Sequence, residues 1–129
     1  TPAAWDRLAE CARWSRRNAD VLVDTHWVGG DPARLEVYGW ASWSPRLGIL
    51  TLRNPSDRPQ SITLDPAGVF ELPARAPETY QARSPFRGSD GEPFLLRAGT
   101  KRTFTLPPFE VLTLEAAPAL AVGEGTRAA

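Results

Sequence analysis

The 129-residue sequence has one cysteine, one histidine, one lysine and no methionine. The single cysteine, Cys11, can form no disulfide within the chain, and it excludes a zinc site built from cysteines. No apolar run approaches the ~20 residues with which a helix crosses a bilayer. Because translation starts at methionine and this sequence starts at Thr1, we expect the segment to be a piece of a larger protein.

The charge balance is neutral and carries no bias toward a polyanionic partner. The chain has 15 basic and 15 acidic residues, which gives a formal net charge of zero. No dense block of basic residues forms, so neither nucleic acid nor an anionic membrane is expected as a partner. The length suits one domain with a real core.

The first 20 residues predict an amphipathic helix. Thr1 is a good N-cap and Pro2 suits the first helical position. Apolar and small residues then recur every three or four positions, at Trp5, Leu8, Ala12, Ser15 and Ala19. No second helix is predicted, so this helix needs another surface to cover its apolar stripe. We expect it to pack on the rest of the chain and to be the last helix of a missing barrel.

Residues 21–116 predict an all-β domain. Short runs with a period of two alternate with turns rich in proline and glycine, which is typical of an antiparallel β-sandwich of about eight strands. The tail 117–129 is rich in small residues, and we expect it to be flexible. The predicted runs lie at 21–23, 35–38, 47–52, 60–64, 69–72, 78–82, 93–97, 102–106 and 109–115.

Two of these runs are predicted to form a hairpin. Residues 54–59 contain several turn formers, so runs 47–52 and 60–64 should pair in antiparallel fashion. Leu52 and Leu112 are the predicted centre of the core.

Aromatic residues concentrate between positions 24 and 45, together with the only histidine. Aromatic rings stack on sugars, and neighbouring polar groups bond sugar hydroxyls. The candidate carbohydrate-binding residues are Trp27, Tyr38, Trp40, Trp43, Asp24 and His26. Two other interpretations stay open: the tryptophans pack in the core or beneath the helix, or they form the seam with a neighbouring domain.

No catalytic or metal-binding residue is predicted. In a strand, Asp24 and His26 would point to the same side, but together with Asp31 they make one histidine and two acids in a loop, which indicates a metal only weakly. His26 is the sole histidine available as a general base, and no G-x-S-x-G motif accompanies it. Gly29 and Gly30 lack the lysine and helix of a phosphate loop. We therefore expect no metal, no cofactor and no catalytic residue.

The order of motifs resembles a known domain junction. A helix ends near residues 18–20, Gly-Asp-Pro follows at 30–32, Trp-Ser-Pro at 43–45, and a core strand reaches Asn-Pro at 54–55. The closing run 106–114 reads LPPFEVLTL. This order resembles α-galactosidase-like glycoside hydrolases, in which the last helix of the catalytic (β/α)₈ barrel leads into a C-terminal β-sandwich. It is also similar to bacterial proteins often labelled "enterotoxin".

The resemblance implies an accessory role. In those hydrolases the two catalytic aspartates lie on the barrel, and neither position maps onto a residue here. The expected function is a non-catalytic C-terminal domain that packs on the barrel and stabilises it, with the missing N-terminal catalytic domain as its partner. The alternative is a carbohydrate-binding module that uses exposed aromatic residues.

Overall fold

The computed structural model describes residues 1–86 and 91–119 and contains eight strands and three α-helices within them. The helices are α1 (Pro2–Arg17), α2 (Ala19–Leu22) and α3 (Pro66–Val69), with a 3₁₀ turn at Pro32–Arg34. The strands are β1 (His26–Gly29), β2 (Tyr38–Ser44), β3 (Leu47–Arg53), β4 (Gln60–Leu64), β5 (Thr79–Arg83), β6 (Phe94–Arg97), β7 (Arg102–Leu106) and β8 (Val111–Pro118).

The strands form two antiparallel sheets. Six of them hydrogen-bond in the order β1-β2-β3-β8-β5-β6, and β4 pairs with β7 in a second sheet. The predicted fold class, an all-β antiparallel sandwich of about eight strands with an N-terminal helix, is confirmed.

The core lies between the two sheets. Leu50 and Leu52 of β3, Leu114 of β8 and Tyr80 of β5 belong to one buried cluster with Leu106 of the small sheet. The positions between them in each strand point to the opposite side, which we name the outer face of the six-stranded sheet. Leu52 is fully buried, while Leu112 is partly buried against the same cluster.

A smaller cluster covers one end of the outer face. Val21 of α2 packs with Leu47 and Ile49 of β3, and Trp14 and Leu22 lie against them. The short helix α2 thus fixes the chain to the sheet directly after α1. The predicted extended segment 21–23 is wrong, because residues 19–22 form this helical turn and bury Val21 beneath it.

The predicted helix is present, but it does not pack on the sheets along its length. Thr1 caps it, its Oγ1 accepting from the Ala4 N–H at 3.2 Å, and α1 ends at Arg17 with Asn18 as C-cap. None of the residues of α1 is buried. No helix among the described residues has both the length and the apolar character needed to cross a membrane.

The predicted hairpin of runs 47–52 and 60–64 is wrong. β3 pairs with β2 and β8, whereas β4 crosses to the other sheet and pairs with β7. The buried side chain of Asn54 explains this crossover. Its Nδ2 lies 2.7 Å from the Arg58 carbonyl, 3.1 Å from that of Leu106 and 3.0 Å from that of Pro107.

The acceptor side of Asn54 completes the same network. Its Oδ1 accepts from the Ser56 N–H at 3.0 Å and from the Gln60 Nε2 at 2.7 Å. The side chain therefore joins the 54–59 connection to the proline pair that follows β7. A buried polar group whose bonds are all made locks one chain path.

Two other predicted strands, 69–72 and most of 35–38, are not strands. Val69 is the last residue of α3, and residues 70–72 follow that helix outside any strand. The helix begins because Asp65 accepts from the Ala67 N–H at 2.9 Å and Pro66 fits the first turn. Within 35–38, only Tyr38 is in a strand, since Asp31 caps the 3₁₀ turn before it and Leu35 has φ of 58°.

The later strands lie close to their predicted positions. β8 continues to Pro118, two residues past the predicted domain limit at 116. The rest of the predicted tail, from residue 120, and the predicted turn residues Ser89 and Asp90 lie outside the described residues.

Candidate functional site

An aromatic cluster lies on the outer face, at the edge formed by β1 and β2. The rings of Trp27 and Tyr38 are stacked, with centroids 5.0 Å apart and planes 9° apart. Trp40 meets Trp27 edge to face at 4.9 Å and 88°. Trp27 is 42% exposed and Trp40 47% exposed. The cluster thus fixes the orientation of its rings while leaving a large part of both indoles in solvent.

Strand register places these residues together. Directly paired residues of antiparallel strands project from the same face of a sheet. One row across four strands contains Trp27, Trp40, Thr51 and Thr113, and the next row contains Gly29, Tyr38, Arg53 and Val111. The aromatic cluster is therefore one half of a surface that continues onto β3 and β8.

The other half of the two rows is polar. The hydroxyls of Thr51 and Thr113 are 3.2 Å apart, and either can donate. Arg53 Nη1 donates to the Tyr38 hydroxyl at 3.4 Å. Thr51, Thr113 and Arg53 were missed as candidates. Thr51 and Arg53 are two positions apart, so in one strand they project from the same face, and this spacing was a signal for these two residues.

Trp43 does not join the cluster. It lies three positions after Trp40, an odd number in a strand, so it points to the opposite face and packs against the core. Its Nε1 donates to the Tyr80 hydroxyl at 3.3 Å. Burial raises the pKa of that Tyr80 hydroxyl, and the bond from Trp43 acts in the opposite direction.

Asp24 and His26 also lie apart from the exposed rings. Asp24 is in the exposed turn after α2. His26 pairs with Ala41, a core position, and its Nε2 lies 2.7 Å from the Val69 carbonyl oxygen. Its Nδ1 is 4.0 Å from Glu71 Oε2. The ring therefore ties β1 to the end of α3.

The third predicted metal candidate, Asp31, is used by the backbone. Its Oδ1 accepts from the Ala33 N–H at 2.9 Å, as an N-cap does. Within residues 1–86 and 91–119, no group of three or more histidine, cysteine or acidic side chains is placed to hold a metal ion.

Helix α1 supplies a second candidate surface. Trp14 Nε1 donates to Glu115 Oε1 of β8 at 2.7 Å, and the Trp14 ring lies 5.3 Å from Phe86. At 100° per residue, Trp5 is about 180° around the helix from Trp14. The stripe of Trp5, Leu8 and Ala12 consequently faces away from the sheets. Trp5 is 70% exposed and Leu8 59% exposed.

The end of α1 is held by the hairpin between β2 and β3. Arg46 Nε and Nη2 each donate to a different carboxylate oxygen of Asp20, both at 2.7 Å. Nη2 also reaches the Arg17 carbonyl at 3.2 Å and Asn18 Oδ1 at 3.1 Å. The hydrogen bond from Arg46 lowers the pKa of Asp20. The contacts of Arg46 and Trp14 therefore fix the direction in which α1 leaves the domain.

The fold and these surfaces define an antiparallel β-sandwich domain with a projecting N-terminal helix. No family model matches the sequence, and no curated protein matches it either. Among solved structures, the chain is similar to a Bacillus halodurans protein described as a "putative alpha-N-acetylgalactosaminidase", with a TM-score of 0.53 and 16% identity. The match covers 74% of this chain and 21% of that chain.

The similarity shows a shared fold. The region of similarity spans 21% of the Bacillus protein, about a fifth of its length. At the level of fold, this agrees with the resemblance to a domain of α-galactosidase-like proteins that the sequence predicts.

Proposed function

We propose that this chain is a non-catalytic accessory domain of a larger glycoside-hydrolase-like protein, and that α1 docks it onto the catalytic domain. The observation that carries the proposal is the direction of the apolar stripe on α1. Trp14 holds the helix to the sheet from one side, and Trp5 and Leu8 project from the other.

The energetics of the helix support a missing partner. A single helix of this length is marginal in water without tertiary packing. α1 buries none of its residues, and its contacts with the sheets come from its last turns. A second surface that covers Trp5 and Leu8 would supply the apolar burial that the helix lacks.

The fold similarity supports the class of partner. The Bacillus halodurans protein is described as a glycosidase, and the region similar to this chain is a small part of it. A β domain attached to a larger catalytic part agrees with that proportion. The placement of Asp24 and His26, one in an exposed turn and the other bonded to backbone, supports an absence of catalysis in this segment.

A pair of substitutions tests the docking role. The double variant Trp5→Ala, Leu8→Ala should lower the melting temperature of the protein encoded by the complete reading frame. It should leave the melting temperature of the 129-residue chain unchanged. Leu95→Ala, on a third exposed apolar side chain on β6, serves as the control and should change neither.

Two results would overturn the proposal. One is a complete reading frame that encodes no further domain on which α1 can dock. The other is turnover of an aryl α-galactoside by the 129-residue chain that is lost in the variant His26→Ala.

A further inference from the structure

We propose that the two rows on the outer face bind a carbohydrate chain that carries a carboxylate, with Trp27 and Trp40 stacking on sugar rings and Arg53 pairing with the acid. This inference is independent of the docking role of α1, because it rests on residues of β1, β2, β3 and β8 alone.

The aromatic half offers preorganised stacking surfaces. Trp27 stacks in parallel on Tyr38 and meets Trp40 edge to face, so the three rings fix one another's orientation. Both indoles are nearly half exposed. Rings that are already fixed lose little conformational entropy when a sugar stacks on them, and indoles provide large apolar faces.

The polar half continues along the same line. Thr51 and Thr113 follow Trp40 in the first row, and their hydroxyls, 3.2 Å apart, can both donate and accept. Three strand spacings separate Trp27 from Thr113, which is about 14 Å. A surface of this length accommodates a short oligosaccharide lying across the strands.

The positive charge of Arg53 in the second row favours an acidic sugar as the ligand. None of the eight positions in the two rows is acidic. Arg53 makes one long bond, to the Tyr38 hydroxyl, and has no carboxylate partner among the described residues. A guanidinium group binds a carboxylate in a fork of two hydrogen bonds, so a uronic acid next to a stacked ring suits this site.

The nearby acid on the loop before β2 is already engaged. Glu36 Oε2 accepts from the Asp31 N–H at 2.7 Å, and Glu36 Oε1 lies 3.7 Å from Arg34 Nε. The paired hydroxyls of Thr51 and Thr113 in the first row, which can both donate and accept, favour carbohydrate over a second protein domain.

The experiment titrates the 129-residue chain with trimers of galacturonate, mannuronate and glucuronate, followed by the indole N–H signals of Trp27 and Trp40 in NMR. Each acidic trimer is compared with its neutral counterpart, made of galactose, mannose or glucose. At least one acidic trimer should bind saturably and at least about fivefold more tightly than its counterpart. This preference should shrink as salt is raised, because salt screens an exposed ion pair.

Three variants separate the parts of the site. Trp40→Ala should weaken binding of acidic and neutral trimers alike by about tenfold, because both stack on the ring. Arg53→Gln should remove the preference for the acidic trimer and leave binding of the neutral one unchanged. Trp5→Ala removes a tryptophan on α1 that is even more exposed than Trp40, and it should change neither affinity. A thermal melt of each variant shows that it is folded.

The proposal fails if no acidic trimer shifts the two indole signals at millimolar concentration. It also fails if folded Trp40→Ala binds as the parent does, or if Trp5→Ala loses as much affinity as Trp40→Ala. Equal affinity for acidic and neutral trimers, unaffected by Arg53→Gln, overturns the assignment of the carboxylate. Burial of Trp40 against another domain in the complete protein overturns the site in favour of a seam.

Discussion

Strand β3 and helix α1 both carry large apolar side chains, but these side chains are buried in β3 and largely exposed in α1. β3 is central in the large sheet, with Leu50 and Leu52 buried in the core and Ile49 buried beneath α2. α1 buries no residue and turns Trp5 and Leu8 toward solvent. The buried residues of β3 stabilise the domain itself, whereas the exposed residues of α1 are the ones that contact a partner under the proposed docking role.

The largest effect is expected in β3. Leu52→Ala should lower the free energy of unfolding by about 3–4 kcal/mol, because it leaves a cavity in a fully buried site. The control Leu8→Ala, on α1, should cost less than about 0.5 kcal/mol. Urea denaturation of the 129-residue chain measures both. Equal losses in the free energy of unfolding at the two sites would contradict the conclusion that β3 is buried core and α1 is exposed.

The next effect concerns the crossover between the sheets. Asn54→Ala should cost about 2–3 kcal/mol, because the substitution leaves buried carbonyls and an N–H without partners. Ser61→Ala, at an exposed position on β4, should cost less than about 0.5 kcal/mol. A loss below 1 kcal/mol for Asn54→Ala, by the same denaturation, would show that this network does not direct the chain from one sheet to the other.

A smaller effect is expected where α1 meets the sheet. Trp14→Phe keeps a ring beside Phe86 and removes the indole donor to Glu115, so the cost should be about 1 kcal/mol. Amide hydrogen exchange in the last turns of α1 should also become faster, while exchange in β3 stays the same. Unchanged exchange in α1 would mean that this contact does not hold the helix.

The smallest effect is electrostatic. Arg46 lowers the pKa of Asp20 through its hydrogen bond, so Arg46→Ala should return that pKa to its ordinary range. Since the folded pKa is depressed, the stabilisation is present above the unfolded value of about 3.9 and is lost as the pH falls through the folded value. NMR titration of the Asp20 carboxyl measures the shift. An identical titration in the variant would contradict the role of Arg46.

Local sequence patterns predicted where helices and strands lie better than they predicted which strands pair with each other. The cap at Thr1 and the stripe on α1 are local signals, and both predicted the helix correctly. The partner of β4 depends on Asn54, whose side chain bonds backbone more than 50 positions away at Leu106. A turn-rich connection predicts a hairpin, and it carries no sign of such a distant contact.

Some errors had a signal in the sequence. Asp65 followed by Pro66 is a helix start, and α3, which it begins, runs to Val69, where the strand 69–72 was predicted to start. Trp40 and Trp43 differ by three positions, which in one strand places them on opposite faces. The sequence alone could therefore have removed Trp43 from the list of candidate sugar-stacking residues. The register that adds Thr113 from β8 could not be predicted in this way, because it joins strands that are distant in the chain.

Hydrogen exchange of α1 in the protein encoded by the complete reading frame shows directly whether another domain covers Trp5 and Leu8. The amides around Trp5 and Leu8 should exchange slowly in that protein and rapidly in the 129-residue chain, with β3 protected in both. Equally rapid exchange of those amides in the two proteins would contradict the docking role of α1.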